Sequence, residues 1–588
     1  MRPSLLKLLP ITYVSFIVFL LACGGGGGGS NNDDSPPVSD IGKVATLSDL
    51  SISVGILQQE FDSNNFEYTA TLAHSTDQIS IMATHSNAGV ITLNGTAVES
   101  GTPSFDIDLL EGDNSIELDV ASQDGSTHNI YTLNLNRQSM QTHTQTAFIK
   151  ASSVTENDRF GVVSIDGNTL AVGARYEDSS STGINGDENN NASGGNSGAV
   201  YVFVLENGEW RQQAFIKPSN TGVDDLFGAS IDLSGDTLVV GAALEDGESD
   251  ALTDSGAVYV FQRTGNTWSQ QAYIKAPQPI ATGRLGEAVA VSGDILVTSA
   301  RGHTSSGTEA GPVYVYQREN GEWTHDGTLL GSNSELGDLF GVDLDISGTT
   351  IAVGANGESS SSRGINQDQT NNDSSRSGAA YIFERNNETW NQTAYIKSEN
   401  SDEFDNFGIQ LALSNQMLAV SALESSNATG INGDQSDNSA NQAGAVYVFA
   451  REAEGWVYQS YIKASNTSEG DWFGTAVDIS DDQLVVGAWK ETTRVAGVNA
   501  SQDRETSATE VGAAYLFDFS NNQWQQTAYL KASNAKRLAS FAEKIALSDD
   551  MIAVGAMWDS NPNSGVSADQ NTFDTERYSG AVYVFPSK

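Results

Sequence analysis

The chain has 588 residues, with 75 Asp and Glu against 29 Lys and Arg, a formal net charge of −46. Such a balance repels polyanions and argues against a nucleic-acid partner, while cations and neutral or basic surfaces stay open. Hydrophobic residues make up 38% of the chain, enough to fill cores, so the acidity belongs to the surface of folded domains.

At the N-terminus, Arg2 and Lys7 frame the start of an almost wholly apolar run from Leu8 to Leu21, and "LLAC" puts the one cysteine of the chain, Cys23, after a small residue. The run is short for a membrane span and is followed at once by CGGGGGGS. In these residues the chain resembles a bacterial lipoprotein with its signal peptide at residues 1–22. The resemblance implies thioether lipidation at Cys23, and a lone cysteine excludes any disulfide framework. Acyl chains hold a membrane at about 0.8 kcal/mol per buried methylene. In that family Asp after the cysteine marks retention at the inner membrane; Gly24 stands there instead, so an outer-membrane lipoprotein of the cell envelope, periplasmic or surface-exposed, is expected. Residues 23–43 are rich in Gly, Ser and Asp and read as a flexible tether.

Residues 44–137 alternate with period two. Ile79 and Ile81, then Ile116, Leu118 and Val120, then Tyr131, Leu133 and Leu135 each mark one face of a strand. Turn signals fall at Asn94-Gly95, Gly112-Asp113 and Asp124-Gly125. The series LSDLSISVG, Phe61, Tyr68, LLEGDNSIELDV and YTLNLNR resembles the bacterial cadherin-like β-sandwich domain, which implies an immunoglobulin-like fold used as a spacer or adhesion module. The acidic calcium linkers of true cadherins are missing, so rigidification by calcium is not implied.

From residue 142 to 588 the chain repeats itself: a fragment like GAVYVF begins at Gly198, Gly256, Gly311, Gly378, Gly444, Gly512 and Gly580. Each unit holds four short strands, as in RFGVVSID, TLAVGA, GAVYVF and EWRQQAFIK, which predicts a seven-bladed β-propeller. Hairpin signals such as Asp166-Gly167 and Asn207-Gly208 join the first pair and the last pair. The seventh unit has no fourth strand after Phe585, but QTHTQTAFIK at 141–150 aligns with the fourth strands elsewhere. This N-terminal strand is expected to close the ring and remove its open edges. The fold class expected is thus all-β, an immunoglobulin-like sandwich followed by a propeller closed by an N-terminal strand.

At Phe160-Gly161, Phe227-Gly228, Phe340-Gly341, Phe407-Gly408 and Phe473-Gly474, with Gly-Ala at Gly173, Gly241, Gly354, Gly487 and Gly555, the chain resembles the FG-GAP repeat family, the propeller of integrin α-subunits. The resemblance implies partner-binding loops at one end of the ring. No proline follows Gly-Ala, and tight turns such as LSGDT stand where integrin-type repeats carry an Asp-rich calcium loop, so calcium sites are not carried over there.

No enzyme is expected: the six histidines are scattered, and no nucleophile elbow, zinc spacing or phosphate loop occurs. What recurs is acid. Asp158, Asp225, Asp338, Asp405 and Asp471 precede the Phe-Gly pairs and are candidates for a partner-binding face. Glu177, Glu358 and Glu424 follow the second strands, and the recurring loops GINGDE, GINQDQ and GINGDQ add Asp187, Asp368, Asp434 and Asp437. Carboxylate and amide oxygens on flexible loops are what hard cations such as Ca²⁺ take, so these are candidate metal ligands; an Asp near a turn equally caps backbone amides. Unit 3 lacks the pattern and carries Arg284, Arg301 and His303. Trp210, Trp268, Trp323, Trp390, Trp456 and Trp524 open the fourth strands and are expected between blades rather than as a sugar platform. The function expected is a lipid-anchored envelope binding or adhesion protein with a protein or glycan ligand at the propeller loops. The alternatives are a carbohydrate-active enzyme and a purely structural envelope protein.

Overall fold

The structure, a computed structural model, describes residues 43–588 apart from 56, 73–75, 77, 88, 111, 138–142, 191–194, 248–251, 303–310, 505–509, 537, 568 and 573–577. Cys23, the tether and His303 lie outside the described residues. The chain divides into two compact units at residues 140/141.

In the first unit a five-stranded sheet runs Glu67–Leu72, His128–Arg137, Gly112–Ala121, Val90–Leu93 and Thr96–Val98, facing the pair Leu47–Ile52 and Ile81–His85. Its alternating positions bury Ile116, Leu118, Val120, Tyr131, Leu133 and Leu135 against Tyr68, Ile79 and Ile81, the faces expected from period two. The Tyr131 hydroxyl crosses the core, accepting from Leu47 N–H and donating to the Ser63 carbonyl at 2.8 Å. Asn94-Gly95 forms the expected hairpin, with φ of 46° and 82°. Gly112-Asp113 differs: the pair opens the strand opposite Arg137 and Asn136 instead of forming a turn.

The second unit contains seven four-stranded antiparallel sheets. Blade 1 is Phe160–Asp166, Thr169–Ala174, Ala199–Glu206 and Glu209–Ile216. The next five blades repeat that order, and blade 7 takes Lys544–Leu547, Met551–Ala556 and Ala581–Pro586 from the C-terminus and Ala147–Ile149 as its fourth strand. First strands touch their neighbours around the ring, and the last touches the first.

The signature residues of the repeat form the seam between blades. A methyl group on Gly198 would lie 2.0 Å from the Phe227 carbonyl oxygen of the next blade, and one on Gly173 would lie 2.1 Å from that of Gly228. Only glycine allows this approach, and Gly198 also has a φ of +80°. The ring closes by the same contact, Gly580 against Phe160 at 2.0 Å.

On the outer side, a register shift in the third-to-fourth strand pairing of blade 1 leaves Gln213 opposite no partner. The bulge turns its side chain toward the next blade, where its Oε1 accepts from Trp268 Nε1 at 2.8 Å. Gln271 and Trp323 repeat this at 2.8 Å, as do Asp326 and Trp390. Trp210, Trp268, Trp456 and Trp524 are buried, and Trp323 and Trp390 are partly so. The tryptophans of the fourth strands therefore pack between blades.

Candidate functional site

Both hairpins of each blade lie at one end of the ring. The second-to-third connections and the links from one blade to the next therefore share the other end, where Val223, Leu336 and Phe404 are 57%, 60% and 59% exposed. The acids that recur at this loop end have defined partners.

Glu177, Glu358 and Glu424 are each buried against a lysine from the end of the fourth strand: Lys217 at 2.7 Å, Lys397 at 2.8 Å and Lys463 at 3.2 Å. Glu245–Lys275 at 2.5 Å and Glu491–Lys531 at 2.8 Å repeat the pair, and in blade 7 the closing segment supplies Lys150, 4.0 Å from Asp559. In blade 1 the ammonium also donates to Ser197 Oγ and the Gly198 carbonyl, both at 2.7 Å, so one cation ties the ends of strands two, three and four. Burial pushes Glu177 and Glu424 up and Lys217 and Lys463 down, each partner pulling the other back. Burial also pushes Glu491 up, but Lys531 and the hydrogen bonds from Thr493 together more than offset it and hold the carboxyl below its usual value. The expectation that Glu177, Glu358 and Glu424 offer oxygens to a metal is thus corrected: a lysine ammonium occupies that place.

Asp158, Asp225, Asp338, Asp405 and Asp471 are buried too, at 1 to 9% exposure. Each carboxylate accepts the backbone N–H three residues earlier: Thr155 at 2.8 Å, Gly222 at 2.8 Å, Glu335 at 2.7 Å, Asp402 at 2.8 Å and Ser468 at 2.9 Å. These aspartates shape the blade-to-blade link from inside, which corrects their expected place on a partner-binding face. Burial pushes Asp158 and Asp338 up to about 6 and Asp405 up to about 7.

Asp187, Asp368 and Asp434 are exposed and Asp437 half-buried, and all four cap their own turns, accepting the N–H two residues on at 2.9 to 3.0 Å. The recurring GIN segment before them folds back on the fourth strand. Ile184 bridges Ile216, and Phe215 N–H donates to Asn185 Oδ1 at 3.0 Å; Ile365–Ile396 and Ile431–Ile462 repeat the bridge. A loop that covers the outermost strand protects an otherwise open edge. Among the described residues no three His, Cys, Asp or Glu side chains converge to hold a metal. In unit 3, Arg301 pairs with Glu287.

A second acidic set, not singled out from the sequence, lies in the innermost strands. Asp232, Asp345 and Asp478, in Ser230–Ser234, Leu344–Ser347 and Ala476–Ile479, each accept the N–H of their own next residue. Each also accepts one from the following blade: Val291 at 2.7 Å, Leu413 at 2.7 Å and Leu547 at 2.6 Å. The receiving blades carry Ala290, Ala412 and Ala546 at the matching position, so alternate blades latch onto their neighbours. Burial pushes Asp232 up to about 6, Asp478 up to about 7 and Asp345 well above the carboxylate range, with Asp232 and Asp478 adding repulsion at Asp345.

These folded-state values lie above that of an unfolded aspartate, about 3.9. At these aspartates the folded propeller therefore holds more protons than the unfolded chain between roughly pH 4 and 7, and their contribution to stability falls as pH rises through that window. Denaturant midpoints are expected to drop from about pH 5 to about pH 8, and Asp345→Asn is expected to flatten the slope. A midpoint that rises over the same range would contradict this reading of the inner ring.

A ring of seven blades with buried acid–lysine ties and a long-loop end is the architecture of a repeat-built β-propeller. Residues 143–203, 210–261, 268–316, 323–383, 456–517 and 524–585 match the model described as FG-GAP repeat, and residues 47–138 match that of the cadherin-like beta sandwich domain. The matched repeats cover more than half of the 588 residues, and the chain belongs to the FG-GAP repeat family. Every matched stretch starts within or just before a fourth strand and ends within the third strand of the following blade, so each repeat straddles a seam. No curated protein matches the chain. Among solved structures, the crystal structure of Chaetomium thermophilum Sqt1 is similar with a TM-score of 0.37 and 11% identity over 72% of this chain and 86% of that one, too slight a likeness to carry an argument.

Proposed function

We infer that this protein is a lipid-anchored binding or adhesion protein of the cell envelope, held by Cys23 at the outer membrane, that meets a protein or glycan partner at the loop end of its propeller. A cadherin-like sandwich followed by FG-GAP repeats is the domain content of a binding or adhesion protein. The observation that carries the choice of surface is the difference between the two ends. One end is closed by short hairpins, and the other exposes Val223, Leu336 and Phe404 among long connections. Exposed apolar side chains on three of the blade-to-blade links at that end favour it as the interaction surface. The acids of that end are largely spent on lysines and backbone amides, so the partner reads apolar, amide and hydroxyl groups rather than a cation held by the repeats.

In cells, Cys23→Ser is expected to lose acyl labelling and leave the membrane fraction while the released protein still binds its partner on a glycan and protein panel. Leu336→Ser with Phe404→Ser is expected to abolish that binding at an unchanged melting temperature. Acyl labelling that survives Cys23→Ser contradicts the anchor; panel binding that survives the loop-end pair contradicts the surface.

A further inference from the structure

Three of the nine tryptophans stand outside the fourth-strand pattern, Trp472, Trp489 and Trp558, and all three lie at the loop end, on blades 6 and 7. In a chain with 75 acids, the cations beside them stack on rings. Lys490 Nζ is 3.5 Å from the centroid of the Trp472 ring. At the junction of blades 7 and 1 the guanidinium of Arg159 lies 4.0 Å from the Trp558 centroid and 5.0 Å from that of Tyr176, and Arg175 lies 5.1 Å from Tyr176. Among the described residues neither arginine has an ion pair. A guanidinium stacked on a ring keeps its in-plane N–H donors free for a ligand.

The same junction holds buried polar atoms without partners: Arg159 Nε, Arg175 Nε and Glu543 Oε2. Glu543 interacts electrostatically with Arg175, Lys544 and Arg159 and takes a hydrogen bond from the Trp558 side chain, which leaves Oε2 as its open atom. Buried donors and a buried acceptor left open in one place call for a group that can both accept and donate. A hydroxyl does both, and neighbouring hydroxyls on a flat ring beside indole and phenol faces are the chemistry of a sugar. Lys544 also faces Asp343, but Arg159 and Arg175 alone outnumber Glu543, and that balance favours a sugar bearing a carboxylate. An acidic peptide would satisfy the arginines but would offer Glu543 no hydroxyl.

We propose that the junction of blades 7 and 1 is a subsite for an acidic saccharide, a hexuronate unit, with Arg159 and Arg175 taking its carboxylate and hydroxyl oxygens, Glu543 accepting from a hydroxyl and Trp558 flanking the ring. This rests on the reading of the protein as a binding protein and gives that loop end a ligand class. The test is calorimetric titration of the full chain with a hexuronate oligomer, a neutral hexose oligomer of equal length and poly-aspartate. The hexuronate oligomer is expected to bind, with the neutral oligomer at least tenfold weaker and the peptide weaker still. Arg175→Gln and Trp558→Phe are each expected to weaken hexuronate binding at least tenfold, and Arg211→Gln, a substitution on an exposed outer strand, to leave it unchanged. Circular dichroism melts establish that each variant is folded. No hexuronate binding, equal binding by the Arg175→Gln chain, or tighter binding of poly-aspartate each overturns the subsite. The wider reading is tested apart from it: no hexuronate binding, together with a panel partner that is lost with Leu336→Ser and Phe404→Ser, sinks the subsite alone.

Discussion

Deleting residues 142–150 from the full chain is expected to unfold or aggregate the propeller, while a deletion of equal length in the Gly-rich stretch after Cys23 leaves its melting curve unchanged. The closing strand pairs Ala147 with Val584, Phe148 with Tyr583 and Ile149 with Val582, and Thr146 N–H donates to the Val584 carbonyl at 2.8 Å. Phe148 and Ile149 are buried at 4% and 0% exposure, and each contributes roughly 1.5–3 kcal/mol through burial. Lys150 leaves with them, so Ser579 Oγ, 2.7 Å from its Nζ, and Asp559 lose their buried cation. A whole domain is stable by only about 5–15 kcal/mol, and the deletion also bares Ala581–Pro586 as an open apolar edge. Light scattering and thermal melts check this. Two deletion chains that melt alike would mean that the ring does not depend on its closure.

Closure was legible in the sequence because Gln145 to Lys150 repeat a fourth strand; the sandwich strands were legible because burial alternates where the residues do, and the blade strands, buried on both faces, because they recur. The roles of the acids were harder to read, since each depends on a partner far along the chain: Lys217 follows Glu177 by 40 residues. A signal was nonetheless present. Unit 3 loses the acid, with His303 at its place, and loses the lysine too, with Leu330 where Lys397 stands in unit 4. Acid and lysine that vanish together belong to one interaction, whereas metal ligands would have no reason to leave with a lysine. The alternation of Asp232, Ala290, Asp345, Ala412, Asp478 and Ala546 is likewise visible in the chain. Its meaning needs the ring, because only there does an aspartate face the backbone of the following blade. The junction of Arg159, Arg175 and Trp558 had no sequence signal at all, since its residues come from opposite ends of the propeller and meet only on closure.

Lys463→Met is expected to destabilise the propeller by about 3–5 kcal/mol, the cost of leaving a buried charge without its counter-ion. Glu424 and Lys463 are both wholly buried, and the carboxylate also accepts Tyr461 Oη at 2.8 Å and Ser426 N–H at 2.9 Å. Burial shifts both partners toward their neutral forms, the carboxyl up and the ammonium down, so desolvation opposes the attraction even with the pair intact. The charges therefore contribute little as a pair, yet either alone is costly. Glu424→Gln with Lys463→Met removes both charges while the amide oxygen still accepts from Ser426, and its stability is expected to lie between that of Lys463→Met and the parent. Guanidinium midpoints of the parent, the two single variants and the double variant form the cycle that measures the coupling. If the double variant were as unstable as the sum of the singles, the two side chains would act independently, and the ammonium would not be what holds Glu424 in the blade.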